Sequence, residues 1–346
     1  MKRIGMVGHF GGDKEFLDGQ TVKTKNLYRA LTEAFSTDDI EKLDTYGYKK
    51  NIFSFFCKAV RLICTAKNVV MLPDENGVRV FLPLYGMLNV FLRRKLHYAV
   101  VGGWLPVFLK KHKLVRWFAK RLAGVYVETS SMKTALEEMG FSNVILLPNF
   151  KYLDALSETE MECDVSKPRR LCIFSRIMEQ KGVEEAVDTI SAINANAGET
   201  VYELDLYGPI DDGYRVRFEE LQKNFPDFIR YKGTVPAEQS VHTLKAYFAL
   251  LFPTKFYTEG IPGTLIDACA AGVPVVTSLW VNHGDVFTEG VTGWGFEFGN
   301  FEQFRALLEK AADEPEVFLS MKISALTESK KFQPHLAVQN LIQRIV

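Results

Sequence analysis

No segment of this 346-residue chain stays apolar for the roughly 20 residues that a membrane-spanning helix needs. Cysteine is sparse: Cys57, Cys64, Cys163, Cys172 and Cys269 show neither a disulfide framework nor metal-site spacing, which points to a reducing cytoplasm. The apolar start, residues 1–8, is short and interrupted by Gly5, so it reads as a strand and not as a signal peptide. Internal repeats and low-complexity tracts are missing. So is any D-x-D run at a strand end; Asp211-Asp212 falls in a glycine-bearing loop and reads as a solvated turn, so no metal is expected.

What is present is a 47% hydrophobic composition, enough for two cores in a chain of this length. Apolar runs at 201–207, 229–232 and 247–252 each end in a turn, at Gly208-Pro209, Gly233-Thr234-Val235-Pro236 and Pro253, with helical stretches between them. That alternation predicts parallel sheets with crossover helices, whose ligands bind beyond the carboxyl ends of the strands. A polar, acidic stretch at 154–167 is the expected boundary between an N-terminal domain (1–153) and a C-terminal one (168–330). A helical segment, 331–346, follows.

Residues 254–274 carry the densest chemistry. Glu259 and Asp267 stand eight apart, with a glycine-rich turn between them and helical composition resuming near Gly263-Thr264. Free amides at Gly263, Thr264 and Leu265, with the positive end of the helix dipole, suit an anion such as a diphosphate. Carboxylates flanking such a site accept hydrogen bonds from sugar hydroxyls. Two acids at this spacing, taken alone, fit a solvated helix face equally.

Upstream, a strand at 170–174 leads through Ser175-Arg176 to Lys181-Gly182 and a helix from Val183. Arg176 can fork onto phosphate oxygens and Lys181 supplies a point charge, where a departing diphosphate gains negative charge. Either cation alone also fits a surface position near a strand end. Near the N-terminus, Gly8-His9-Phe10-Gly11-Gly12 and Asp18-Gly19-Gln20-Thr21 precede a helix expected over 22–31. Glycine there permits close backbone approach to a phosphate, and an ordinary strand-to-helix turn explains it as well.

Glu259 to Asp267, followed by Ala270-Ala271-Gly272-Val273-Pro274-Val275-Val276, resembles the E-x7-E signature of retaining glycosyltransferases of family 4, in particular bacterial capsule and exopolysaccharide enzymes. Here the second acid is the shorter aspartate. Ser175-Arg176 to Lys181-Gly182 resembles the family's G-R-x4-K-G motif, with Ser175 in place of glycine. The resemblance implies an α/β GT-B fold, two Rossmann-like doubly wound parallel-sheet domains facing across a cleft. It implies transfer of a hexose-type sugar from a nucleoside diphosphate sugar, a UDP-sugar by preference, without cofactor.

By the same resemblance Arg176 and Lys181 stabilise the leaving group and Glu259 faces the donor sugar. Gly263, Thr264 and Leu265 offer amides to the diphosphate, and Asp267 holds the ribose. Gly208 borders the donor, the turn at Val235 packs the base, and Gly19-Gln20 approaches the diphosphate. The N-terminal domain takes the acceptor, with His9 and Trp104 as candidates. Many members carry a histidine after a later N-domain strand. The matching strand here, 96–101, ends in Gly102-Gly103-Trp104, and His97 lies at its wrong end. Asn149 is expected to fix a hinge turn, and 334–344 to cross back onto the N-terminal domain. A non-catalytic partner subunit that binds a nucleotide sugar or glycan is the alternative.

Zero net charge hides a polarity. Residues 1–150 hold 23 Lys and Arg against 13 Asp and Glu, so +10, which leaves 19 against 29, so −10, for the rest. Between Glu75 and Glu128 there is no acid, and ten Lys or Arg cluster chiefly at Arg93-Arg94-Lys95 and from Lys110 to Arg121. Leu88, Phe91, Leu92, Trp104, Leu105, Phe108, Leu109, Trp117 and Phe118 interleave with them. Such a surface suits anionic lipid headgroups. Core-facing apolar residues beneath basic outer faces explain it too, whereas nucleic acid lacks a recognisable binding module. Together with the resemblance, the basic region 93–121 favours a polyprenyl-diphosphate-linked glycan acceptor and peripheral attachment to the inner face of the cell membrane.

Overall fold

The computed structural model describes residues 1–14, 18–161 and 164–346, so Cys163 and part of the expected boundary lie outside the described residues. The chain divides into two compact units, Met1–Tyr152 with Phe332–Val346, and Leu153–Lys331.

The first unit runs β1 (Lys2–Gly8), α1 (Gly19–Ala34), β2 (Ile40–Asp44), α2 (Ile52–Thr65), β3 (Ala66–Leu72), α3 (Glu75–Leu92) and β4 (Lys95–Ala99). It continues with α4 (Leu105–Lys111), α5 (Lys113–Ala119), β5 (Gly124–Val127), α6 (Ser130–Glu138) and β6 (Val144–Leu146). All pairings are parallel and the strand order is β2-β1-β3-β4-β5-β6. One face of the sheet packs Leu62 of α2, Leu82 and Tyr85 of α3, and Phe118 of α5; the other packs Leu27 and Leu31 of α1 with Leu341 and Ile345 from the chain end. α1 begins three residues before the expected 22–31 because Asp18 caps it, accepting the Thr21 amide at 3.0 Å.

The helical layer of α2, α3, α4 and α5 divides its apolar residues. Leu105, Phe108, Leu109 and Phe118, expected on the basic surface, are buried in the core, because helical periodicity turns them onto the sheet. Phe91 is 86% and Trp117 49% exposed, and Ile52, Phe53, Phe56, Val80, Met87, Val90 and Leu114 join them on the outside.

The second unit holds β7 (Arg169–Phe174), α7 (Val183–Ala197), β8 (Tyr202–Tyr207), α8 (Arg215–Gln222), β9 (Ile229–Gly233), α9 (Ser240–Leu244) and β10 (Ala249–Phe252). It goes on through α10 (Gly263–Ala270), β11 (Val275–Leu279), β12 (Gly293–Glu297), α11 (Phe301–Asp313) and α12 (Pro315–Glu328). Its sheet is also parallel throughout, in the order β12-β11-β10-β7-β8-β9. Buried Asp205 on β8 ties neighbouring strands together by accepting from Tyr247 at 2.7 Å, Arg230 at 3.0 Å and Arg170 at 3.2 Å. Burial alone would raise that carboxyl, but these donors hold it below its ordinary range.

Both sheets reverse direction once. In the first, the chain leaves β1 to one side for β2 and to the other for β3. In the second, it leaves β7 toward β8 and β9, then returns to place β10 on the opposite side. Loops diverging at such a reversal leave a crevice at the carboxyl ends of the strands.

Candidate active site

At the reversal in the second sheet, the loops after β7 and β10 are laced together. Gly182, in the left-handed region at φ +70°, comes so close to β10's exit that an added Cβ would lie 2.1 Å from the Pro253 carbonyl oxygen. The Lys255 amide donates to the Gln180 carbonyl at 2.8 Å, and its ammonium meets Glu185 at 2.6 Å. The backbone thereby brings Lys181 onto Glu259, Nζ to Oε2 at 2.5 Å, with exposures of only 13% and 20%. The Lys181 ammonium also lies 5.2 Å from the ring centres of both Phe252 and Phe256.

Glu259 is positioned from two further sides. Thr254 Oγ1 donates to its carboxylate at 3.3 Å, and Asn282 Nδ2 donates to its backbone carbonyl at 2.5 Å. Neither Thr254 nor Asn282 is legible as a site residue in the sequence. Thr254 is buried and held by Ser278 on β11, which donates to its carbonyl at 2.8 Å; Asn282 comes from the loop after β11. The proximity of lysine to glycine in the upstream motif was the one linear sign of the Gly182 contact.

Beside this pair, α10 starts at Gly263 with no side-chain cap, its N-cap position being Pro262. The Leu265 amide, expected to meet the diphosphate, donates instead to the Pro262 carbonyl at 3.1 Å, so the Gly263 and Thr264 amides are the first-turn donors left for a ligand. The Thr264 hydroxyl, close by, is buried without a hydrogen-bond partner. Asp267 lies one turn further in and is 2% exposed, far more enclosed than Glu259. Arg176 is about half exposed and 3.7 Å from Asp211, so Asp211 is a partner of the site's arginine and not merely a solvated turn; Asp212 is 98% exposed. Gly208, at φ +134°, lets β8 pass the β7 exit, since an added Cβ would sit 1.9 Å from the Ser175 carbonyl. Val235 lies in the loop after β9 and is half-buried.

The candidates of the first unit sit in other surroundings. His9 Nδ1 is 2.7 Å from Thr21 Oγ1, Gln20 Nε2 donates to the Leu72 carbonyl, and the space beside Gly19 is open. Trp104 uses its indole N–H on the Val101 carbonyl at 2.9 Å, so that donor is committed within its own turn. His97 is buried on β4 against the Tyr126 hydroxyl at 3.0 Å, and burial, aided by Lys95 and Arg344, lowers its pKa to about 4. It is a core group.

At the end of β4, where the resemblance places a histidine, the structure has an ion pair that the sequence did not announce. Lys23 of α1 meets Glu128 at 2.6 Å, both almost fully buried. Lys23 also donates to the Val100 carbonyl at 3.1 Å, and Glu128 accepts the Gly102 amide at 3.2 Å. Burial pushes the Lys23 ammonium down against the opposing pull of Glu128. The pair holds the Gly102 turn.

Residues 163–325 match the family model described as glycosyl transferases group 1. Among curated proteins, the chain is 25% identical over 203 residues to the amylovoran biosynthesis glycosyltransferase AmsK of Erwinia amylovora, 56% of this chain and 46% of that one. It thus spans less than half of that relative's length. Among solved structures, Anabaena HepE in complex with UDP superposes with a TM-score of 0.76 at 14% identity, over 99% of both chains. Sucrose-phosphate synthase from Thermosynechococcus elongatus superposes with a TM-score of 0.73 at 15% identity, over 99% of this chain and 98% of the other. With two six-stranded parallel sheets flanked by helices, the chain has a two-domain α/β GT-B fold.

Proposed function

We propose that this chain is a retaining glycosyltransferase that moves a hexose-type sugar from a UDP-sugar to a lipid-linked glycan in surface polysaccharide synthesis. The observation that carries it is the juxtaposition of Lys181 and Glu259 beside the uncapped start of α10, at the reversal of the second sheet. A diphosphate there accepts from the amides of Gly263 and Thr264 and from the cations Arg176 and Lys181. Glu259, held by Thr254 and Asn282, accepts from donor-sugar hydroxyls. Asp267 takes the ribose and Val235 packs the base. The base and sugar class are supported by HepE, whose crystals hold UDP or UDP-glucose, and the pathway class by AmsK.

The acceptor oxygen attacks the anomeric carbon on the face from which the diphosphate departs. The bond to the leaving oxygen breaks with its electron pair going to the diphosphate, whose oxygen takes the acceptor's proton. Lys181 and Arg176 match the negative charge as it grows on the leaving phosphate, where preorganised charge is most effective. No cofactor or metal takes part in this reading.

The exposed apolar residues of α2, α3 and α5, with Lys58, Arg61, Arg93, Lys113 and Arg121 among them, form the membrane-facing side of the first unit. On this face a polyprenyl-diphosphate acceptor is met at the bilayer surface.

The test is nucleotide release from a panel of UDP-, GDP- and dTDP-sugars, with Glu259→Ala alongside wild type. Slow release from one donor, reduced on the order of 10²–10³-fold by the substitution, is expected. A panel in which no donor binds or turns over overturns the proposal.

A further inference from the structure

The reversal in the first sheet, between β1 and β3, opens into a cavity of about 800 Å³. Its chemistry is two-ended. Facing sides of α2 and α3 supply an apolar wall, Phe55 and Ala59 from one helix and Phe81 and Leu84 from the other, at helical spacing. Polar groups come from His9 after β1, Thr45 after β2, Gln20 in the first turn of α1 and Asn76 opening α3. Asp18 and Asp74, also at this end, are engaged as helix caps, accepting the Thr21 amide at 3.0 Å and the Gly77 amide at 2.7 Å. Lys49, with exposed Lys50 beside it, puts positive charge on the rim.

An apolar hollow this large lies within the roughly 300–1,000 Å³ typical of ligand sites, and lining it costs stability unless something apolar fills it. The wall continues outward through Ile52, Phe56 and Val80, which are 63%, 49% and 60% exposed. These residues belong to the apolar face that also carries Phe53, Phe91 and Trp117. The cavity is therefore continuous with the apolar, basic-edged surface of the unit, and its polar end lies at the carboxyl edge of the sheet.

From this we infer that the cavity between α2 and α3 receives the first part of the hydrocarbon chain of a polyprenyl-diphosphate-linked acceptor. The chain enters past Ile52, Phe56 and Val80, the diphosphate meets Lys49 and Lys50, and the sugar end is delivered toward His9 and Gln20. The inference rests on the lipid-linked acceptor reading and adds the place where the lipid is held. It also sets a chemical requirement: an acceptor lacking the hydrocarbon gives up most of its binding surface on this unit.

The experiment uses the full chain and a diazirine-bearing polyprenyl phosphate in detergent micelles, with label sites mapped by mass spectrometry. Label is expected on α2 and α3, competed by unlabelled polyprenyl phosphate and not by inorganic phosphate. Val80→Trp, which fills the mouth from a mostly exposed position, lowers labelling about tenfold, a change of roughly 1.4 kcal/mol in binding. Phe56→Asp gives the same loss by placing a charge in the entrance, and serves if the tryptophan variant is unstable. Label confined to 105–121, label unchanged in both variants, or competition by inorganic phosphate overturns the inference. Nucleotide-sugar binding, measured on the same preparation, reads the donor site separately: donor binding with no label on α2 or α3 sinks the lipid pocket alone, whereas loss of donor binding sinks the proposed function.

Discussion

At the reversal of the second sheet, the loops after β7 and β10 are joined by charge, Lys181 on Glu259, and by backbone contact at Gly182. At the reversal of the first sheet, the loops after β1 and β3 stand at the end of a cavity walled by aromatic and aliphatic side chains. The topology is shared, and the chemistry is opposite. In the second unit, the ionisable groups Arg176, Lys181 and Glu259 are partly open and gather at the crevice. In the first, Lys23, Glu128 and His97 are buried in the scaffold, while His9, Asp18, Asp74 and Lys49 stand at the polar end of a cavity whose wall is apolar. A parallel sheet supplies the crevice, and the loops and helices around it decide whether charged or apolar side chains line it.

The sharpest way to break this comparison is at Lys23. Lys23→Met leaves Glu128 buried without its partner and is expected to cost about 3–5 kcal/mol, read as a drop in unfolding midpoint by denaturant titration. Pairing it with Glu128→Gln should recover much of the loss; a single substitution without effect contradicts a scaffold role for the pair. The glycines come next. Gly182→Ala is expected to destabilise by about 2 kcal/mol or more, combining left-handed backbone with the Pro253 clash. Gly19→Ala, with open space around it, should stay within about 0.5 kcal/mol by the same measurement.

His97 separates the units by pH. Its pKa falls from 6.5 to about 4 on folding, so the unfolded chain binds the extra proton between those values. Stability contributed by the neutral folded imidazole is present above pH 6.5 and is lost as pH falls toward 4, about 2 kcal/mol between pH 7 and pH 5. Urea titrations at the two pH values should show that difference shrinking in His97→Phe. The smallest effect belongs to the outer face: Trp117→Ser should weaken sedimentation with anionic vesicles by about 1–2 kcal/mol, with the effect of added salt retained. Equal sedimentation of the variant would remove Trp117 from the lipid contact.

Legibility followed the same division. The motifs of the candidate site were readable because each lies within a short stretch: a strand, a turn and a helix start fix the places of Lys181, Glu259 and Asp267 almost regardless of what surrounds them. Thr254 and Asn282 were not, since a buried threonine and a loop asparagine acquire their role only from the partner they meet. The basic face was half legible. Its charges were countable, but Leu105, Phe108, Leu109 and Phe118 turned inward while Phe91 and Trp117 stayed out, and only packing against the sheet separates the two sets.

The sequence by itself determined the alternation of strand and helix, the charge asymmetry between the halves and the residues at the end of β7 and the start of α10. Those properties are local, set by periodicity, turn chemistry and composition. Tertiary structure alone decided that Lys23 pairs with Glu128 across 105 positions and that Gly182 touches Pro253. It also decided that α2 and α3 part widely enough to leave a cavity. The reason is physical: a contact between distant segments depends on how whole elements pack, and a void is made by what several elements fail to fill.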